Sequence, residues 1–428
     1  MPWQSPISPG ISWYEATVGD RPEYAPLDGS VEADVAIVGG GFTGLQAAYN
    51  LAKKGVNVVL IEAHRFGDGA SGRNGGQLGT GQRAEAETLE EELGYERARA
   101  LFDLAENAKR HLLDFATAQN IDIEYVPGQL NVSHKTSYEK EFREHVEIAA
   151  TRYNYPHMQF MDRAETEERV GSKRYHFGIS DSGTGHIHPM KLLVGIARAA
   201  KAAGAKLHEK TPALKIERAG GKAVITTAKG TIRADKALIA CNAYIGNLEP
   251  KTAAHVMPIR SFIGATPVLD KFPSVIPGGE AIADTRFVVR YFRKTRDGRL
   301  LFGGREAYTA DNPNDISVHI RRQIAEIYPE LRDIEITHAW GGSVGITMPR
   351  KPYVREVMPG ITSIGGYSGH GVMLSKYCGK LYAEEATGGS TELDHLKALK
   401  IPAFPGGPRF RSPLLFLALT WYALRDKL

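Results

Sequence analysis

The stretch DVAIVGGGFTGLQAAYNLAKKGVNVVLIE, residues 34–62, decides the fold of this 428-residue chain. Val35 to Val38 form a short apolar, β-branched run of the kind a buried parallel strand requires. Gly39, Gly41 and Gly44 follow at G-x-G-x-x-G spacing, where a tight turn and a close-lying pyrophosphate both exclude a Cβ. Leu45, Ala48, Leu51 and Ala52 then mark one face of a helix whose N-terminal N–H groups point at the phosphates. Val56 to Ile61 reads as a second strand. It ends at Glu62, where a carboxylate can accept both hydroxyls of an adenosine ribose. Strand, helix, strand and acid in register describe a site for an adenine dinucleotide.

Working outward, the first thirty residues are rich in Pro, Ser and Gly and read as an extended arm. After Glu62 comes the glycine-dense loop GDGASGRNGGQ, residues 67–77. Residues 84–119 carry a helical pattern, with Leu101, Leu104, Ala108, Leu112 and Phe115 on one face. Residues 189–203 predict an amphipathic helix stopped by Gly204. Between Lys206 and Ala240 the segments KLHEK, ALKIER, AVITTA, TIRA and KALIA predict a small antiparallel meander, a polar step at Ala234-Asp235, and a last buried strand at 237–240. Asp297-Gly298 predicts a hairpin within residues 286–304, and residues 317–327 a short helix. Residues 361–387 return to strand, glycine turn and helix.

This alternation predicts an α/β protein with α+β character and a discontinuous Rossmann-type domain. That domain takes residues 1–78, 184–248 and 337–390. An inserted mixed-sheet, substrate-binding domain takes 79–183 and 249–336, and 391–428 form a tail packed on the body.

Composition bounds the rest. A hydrophobic content of 42%, a charged content of 24% and a formal charge of +4 describe an ordinary globular chain, with no reason to expect a nucleic-acid partner. The only cysteines, Cys241 and Cys378, form no C-x-x-C pair, so disulfide scaffolding, structural zinc and iron–sulfur ligation lack their residues. His186 and His188 form an H-x-H without a third ligand, and no metal is expected. There is neither a secretory signal pattern nor a run of about 18 apolar residues, so cytoplasm is the expected address and no transmembrane segment is expected. The apolar run at 413–424 is too short to span a bilayer. It suits docking on the body, an oligomer contact or a membrane surface.

Two further loops carry chemistry. In residues 70–77 the glycines let backbone approach a flat ring, Ser71 and Asn74 offer hydrogen bonds, and Arg73 offers a guanidinium to a phosphate or carboxylate. In GGYSGHGVML, residues 365–374, a glycine turn delivers a helix N-terminus, and His370 suits either proton donation or positioning. A single G-x-G-x-x-G leaves no second nucleotide unit, so electrons are expected to enter from an organic substrate.

Together these motifs resemble the FAD-dependent oxidoreductases of the D-amino-acid oxidase and sarcosine oxidase superfamily, and most of all γ-glutamylputrescine oxidases. The resemblance spans nearly the whole chain: SWYEAT at 12–17, GASGRNGGQ at 69–77, GHIHPMKL at 185–192, ACNAYIG at 240–246, MPIRSFIGAT at 257–266, RFVVRYFRKTRDGRLLFGG at 286–304, WGGSVGITMPRKP at 340–352, GYSGHGV at 366–372 and the tail. It implies FAD and oxidation of a carbon bearing an amine, with electrons passed to O2 or another acceptor. The siblings it allows are sarcosine, glycine or D-amino-acid oxidases. A reading of another class is a redox-inert flavin-binding partner subunit.

Carried over by position, Gly39, Gly41, Phe42, Thr43 and Gly44 take the pyrophosphate, and Glu62 with Ala63 the ribose. Leu214 sits near the adenine. Ser71, Gly72, Arg73, Asn74, Gly75, Gly76, Gln77 and Gly345 line the flavin, while Gly369, His370, Gly371 and Val372 address its pyrimidine edge. Some sarcosine-oxidase relatives tether flavin to a cysteine just before a segment like TMPRKP. Ser343, Val344 and Gly345 stand there instead, which implies non-covalent FAD. Arg260 stands where γ-glutamylputrescine oxidases favour an uncharged polar residue, and it suits a carboxylate-bearing substrate. The catalytic and substrate-site candidates are His370, Arg260, Tyr291 and Trp340, with Arg73 and Arg290 beside them.

Overall fold

A computed structural model describes residues 5–286, 288–307, 316–389 and 392–406. The run at 413–424 lies outside the described residues. Two mixed sheets of eight strands each organise the rest.

The first sheet grows from strand Val31–Val38. It pairs in parallel with Val58–Ile61 on one side and Thr231–Ile239 on the other. Lys206–His208 extends one edge and Ile361–Gly365 the other, all parallel, with Tyr353–Met358 antiparallel at the rim. Four helices, Phe42–Lys53, Tyr95–Ala118, Pro189–Ala202 and Gly371–Ala386, contribute Leu45, Leu51, Leu104, Leu112, Ile196, Met373 and Leu381 to one buried cluster on this sheet. Both faces of the sheet are covered, which suits strands written as unbroken Val, Ile and Leu.

Two expected features differ. Residues 231–239 make one strand, not two. Its first half pairs antiparallel with Lys222–Thr226, its second half pairs parallel with Ile361–Gly365, and Val31–Val38 runs alongside the whole of it. The polar pair Asp235-Lys236 lies where the strand changes partner, so polarity there marks an exchange of neighbours rather than a turn. The helix expected over 84–119 is two, Ala86–Leu93 and Tyr95–Ala118, split at Gly94 with φ +81°.

The second sheet runs in the order His338–Ile346, Met257–Val268, Arg299–Ala307, Tyr291–Lys294, Ala281–Asp284, Val126–Ser133, Phe177–His186 and Met158–Met161. Strand His338–Ile346 pairs with Met257–Val268, so it belongs here although it follows residue 337 in the chain. Helix Ile316–Ile327 buries Ile320, Ile324 and Ile327 against this sheet.

The sheets meet at the glycine loop. Gln77 bridges to His186, Ile187 N–H donates to the Gly76 carbonyl at 2.8 Å, and Trp340 Nε1–H donates to the Arg73 carbonyl at 3.0 Å. Residues 73–77 are therefore fastened to the second sheet while Ser71 touches the first helix of the dinucleotide unit.

Helices Phe42–Lys53 and Gly371–Ala386 cross closely because Gly379 faces the Thr43 carbonyl, where an added Cβ would stand at 2.3 Å. Gly379→Ala is expected to destabilise the protein by about 1–3 kcal/mol through overpacking, read as a lower urea midpoint at unchanged m-value.

Candidate dinucleotide and substrate site

The site lies at the carboxyl ends of the parallel strands, where a switch in strand order opens a crevice. Val38 ends its strand and Gly39 turns at φ +110°, with an added Cβ only 2.8 Å from the Ala240 carbonyl oxygen. A Cβ on Gly44 would stand 1.9 Å from the Gly39 carbonyl oxygen, which holds helix and turn together. Gly41 is the N-cap of helix Phe42–Lys53 and gives it no side-chain cap, and the first turn carries no acid. That helix end therefore keeps its positive dipole for an anion, with Phe42 N–H already given to Ser71 Oγ.

The Glu62 carboxylate accepts from Gly40 N–H at 2.8 Å and His64 N–H at 3.0 Å. Burial pushes its pKa up, and those two bonds oppose the push. Two amides leave lone pairs for two ribose hydroxyls. Leu214, whose side chain is 60% exposed, follows the segment in which Lys210 N–H and Thr211 N–H bond the His64 and Glu62 carbonyls. The residues present fit an adenine dinucleotide: a helix end with a glycine N-cap and no first-turn acid, glycines where a Cβ would intrude, and an acid already oriented.

The other glycine segments join this cradle through named bonds. Ser71 Oγ accepts from Phe42 N–H at 3.1 Å. Asn74 is spent internally: its Nδ2 donates to the Ala70 and Ser71 carbonyls and its Oδ1 accepts from Gly76 N–H. From the C-terminal turn, Tyr367 OH meets Thr43 Oγ1 at 2.8 Å, and Ser368 N–H donates to the Gly345 carbonyl at 2.9 Å. Gly369 has φ +92° and open space where a Cβ would stand, and helix Gly371–Ala386 starts without a side-chain cap or a first-turn acid.

Sequence reading passes over Asn242. At φ +46° its Oδ1 accepts from Gly366 N–H at 2.8 Å, and a Cβ on Gly345 would meet that oxygen at 2.0 Å. An Asn directly after a buried strand, tolerant of left-handed backbone, is the signal that finds it. Ser261 is also missed, and its Oγ lies 3.1 Å from Tyr291 OH.

The candidates for substrate contact divide. The Tyr291 ring lies against Gly75 and Gly303, where added Cβ atoms would stand at 2.8 Å and 2.2 Å from it. It therefore faces the glycine loop from the second sheet. Arg260, half-buried, precedes Ser261 on strand Met257–Val268, one strand beyond the neighbour of Tyr291's own, and stands opposite Ser343.

Three others are committed elsewhere. Trp340 is fully buried, edge-on to Tyr14, with its indole N–H on the Arg73 carbonyl, so it is a packing residue. Arg290 gives Nη2–H to Glu326 on helix Ile316–Ile327, so one edge of its guanidinium is taken. Arg73 gives Nε–H to the Gly341 carbonyl at 2.6 Å and Nη2–H to those of Pro9 and Gly10 at 2.7 Å, so it ties the loop to the N-terminal arm rather than presenting a fork to an anion.

His370 donates Nε2–H to the Gly81 carbonyl at 3.0 Å, and burial lowers its pKa to about 4. A neutral ring with its proton held by a main-chain carbonyl positions the turn, so proton donation gains no support. His186 and His188 are likewise occupied. His186 donates Nε2–H to Gly279, and His188 Nδ1 caps helix Pro189–Ala202 by accepting from Lys191 N–H.

Comparison with known proteins agrees with this geometry. The family described as FAD dependent oxidoreductase matches residues 34–385. The chain is 71% identical over 427 residues, all of both chains, to a probable oxidoreductase, OrdL, of Rhizobium meliloti. It is 33% identical over 420 residues, 97% of this chain and 98% of the relative, to the γ-glutamylputrescine oxidoreductase of Escherichia coli K12. The crystal structure of glycine oxidase from Geobacillus kaustophilus superposes with a TM-score of 0.70 at 23% identity, covering 84% of this chain and 96% of that one. The chain belongs to the family of FAD-dependent oxidoreductases, and FAD is its cofactor.

Glu62→Gln removes the charge from the carboxylate that would accept the ribose hydroxyls. Losing about 1.5–3 kcal/mol of charge-assisted hydrogen bonding raises the FAD dissociation constant roughly 10- to 100-fold, measured by titrating apoprotein with FAD.

Burial also holds His188 neutral, at a pKa of about 3. The unfolded chain takes up these histidine protons near pH 6.5, so it binds more protons than the native state below that pH. Stability is then lost as pH falls from about 6.5 towards 4, at up to about 1.4 kcal/mol per pH unit for each histidine. Urea midpoints between pH 7 and 4.5 check the slope, and His188→Asn, which keeps a capping acceptor, is expected to lessen it.

Proposed function

We propose that this FAD-dependent oxidoreductase oxidises the carbon–nitrogen bond of a small amine, a γ-glutamylated putrescine or a close analogue, held between the second sheet and residues 71–77. The imine formed hydrolyses to an aldehyde and ammonia, and O2 is reduced to H2O2. The observation that carries the reading is the meeting of three glycine segments, 39–44, 69–77 and 366–371, with Tyr291 facing them from the second sheet. The likeness to the γ-glutamylputrescine oxidoreductase supports an amine substrate.

When bound, FAD supplies the two-electron acceptor, and the chain binds, orients and keeps water out. Gly39, Gly41 and Gly44 with the first turn of helix Phe42–Lys53 would hold the pyrophosphate. Glu62 would hold the ribose, residues 71–77 the ring, and the Gly371 helix N-terminus the pyrimidine edge. Ser343, Val344 and Gly345 carry no thiol, Cys378 is buried and burial raises the Cys241 pKa to about 12, which supports non-covalent binding.

On the substrate side, Tyr291 OH and Ser261 Oγ are the polar groups placed to position an amine kept neutral, and Arg260 suits a carboxylate further along the substrate. That arginine also keeps a second reading open, an amino-acid oxidase of the sarcosine, glycine or D-amino-acid type, in which it would grip an α-carboxylate.

Anaerobic titration of the yellow protein separates the readings. Bleaching by γ-glutamylputrescine, reversed by air with peroxide formed, is the expected result; bleaching by sarcosine, glycine or D-alanine instead selects the second. A protein bleached by dithionite and by no amine or amino acid is a redox-inert flavin carrier toward them. Tyr291→Phe is expected to lower kcat/KM about tenfold, the effect of roughly one lost hydrogen bond in the transition state, with FAD affinity unchanged.

A further inference from the structure

Two buried guanidiniums bear on the glycine loop, and among the described residues neither is ion-paired with a carboxylate. Arg73 is 5% exposed and Arg293 is 3% exposed. Arg293 donates Nε–H to the Gly75 carbonyl at 2.7 Å and Nη2–H to Tyr14 OH at 3.1 Å and the Ile187 carbonyl at 3.0 Å. Its Nη1–H meets His186 Nδ1 at 3.1 Å. Because His186 gives its Nε2–H to the Gly279 carbonyl, the nitrogen facing Arg293 is the bare acceptor of a neutral ring. Arg73 bonds three main-chain carbonyls. All these acceptors are neutral.

Acids in the neighbourhood are already taken. Asp68 and Glu15, which act on Arg73 across space, both pair with Arg21, while Glu124 pairs with Lys191 and Asp122 with Arg296. Among the described residues Arg73 and Arg293 make no ion pair with a carboxylate. Carbonyls satisfy the protons of a guanidinium but leave its charge standing, and an isolated buried charge is disfavoured unless something opposite completes it. Here one such charge belongs to residues 73–77 and the other is bonded to the Gly75 carbonyl within them. A Cβ on Gly76 would lie 3.1 Å from Arg293 Nη2, so nothing but glycine backbone separates that cation from the loop. Among the described residues no carboxylate is in contact with the positive charge at this wall, so a negative charge arriving there is favoured.

We infer that Arg293, with Arg73 of the loop itself, is a fixed positive charge that favours the reduced, more negative state of the bound flavin and so raises its reduction potential. The inference rests on the proposal that residues 71–77 line the flavin ring. A hydride brings two electrons and one proton, so the ring gains one negative charge on reduction. A cation whose surroundings are already ordered stabilises that charge without reorganising. Arg293 is thus a positioning and electrostatic residue acting through Gly75 and Gly76, not a catalytic group in contact with substrate.

The test is the midpoint potential of bound FAD in the holoenzyme, measured with a chemical reductant and a reference dye so that no amine substrate is required. Arg293→Met is expected to weaken the preference for reduced over oxidised flavin at least tenfold, a drop of about 30 mV for a two-electron couple. Arg293→Lys, which keeps the charge, should recover most of that drop, and Tyr14→Phe, which removes only a hydrogen-bond partner, should leave the potential in place. An unmoved potential in Arg293→Met, or an equal drop in Arg293→Lys, overturns the inference. If Arg293→Met does not accumulate as folded protein, Arg73→Met carries the same expectation and the same refutation. A mistaken substrate leaves these potentials untouched, so the bleaching titration and this measurement fail separately.

Discussion

The structure depends on backbone meeting backbone where the first strand ends. Val38, Gly39 and Ala240 come so close that a side chain on residue 39 would press on a carbonyl, and Gly44 rests directly on the carbonyl of Gly39. These contacts set the angle between strand Val31–Val38 and helix Phe42–Lys53, and hence where that helix points its N-terminal N–H groups. The other parts of the site are placed relative to this turn. Glu62 reaches it through Gly40, Ser71 through Phe42, and Tyr367 through Thr43. The crossing at Gly379 brings the last long helix against the first by the same device, a missing Cβ.

How much of this could be read beforehand follows from how local each interaction is. The dinucleotide unit was legible because its signal is contained in thirty residues: an apolar run, glycines at fixed spacing, a helix face, an acid. The hairpin at Asp297-Gly298 and the helix stop at Gly204 were legible for the same reason. Where pairing is distant, reading failed. The polar step at Ala234-Asp235 reads as a break between strands because nothing nearby shows that one edge of that strand passes from Lys222–Thr226 to Ile361–Gly365.

Side-chain roles were harder to read than elements. Arg73, Arg290 and Trp340 have the chemistry of binding residues, and sequence alone gives no reason to deny it to them. Their partners lie far along the chain: Gly341 for Arg73, Glu326 for Arg290, Tyr14 for Trp340. Asn242 and Ser261 were overlooked for the opposite reason, being unremarkable residues given work by where the fold sets them. Arg293 belongs with these. Among the described residues no carboxylate pairs with it, and no sequence window displays that.

The strand Thr231–Ile239 has a consequence for how the chain is made. It is the neighbour that completes one edge of Val31–Val38, yet it is synthesised about two hundred residues later, after most of the second sheet's first half. Ile361–Gly365, which flanks it in turn, comes later still. A growing chain therefore carries its phosphate-binding turn on a sheet with one open edge throughout much of translation. Long-range pairings of this kind make folding slow and leave strand edges exposed. The order of synthesis thus has the phosphate-binding turn made well before the strands that close its sheet.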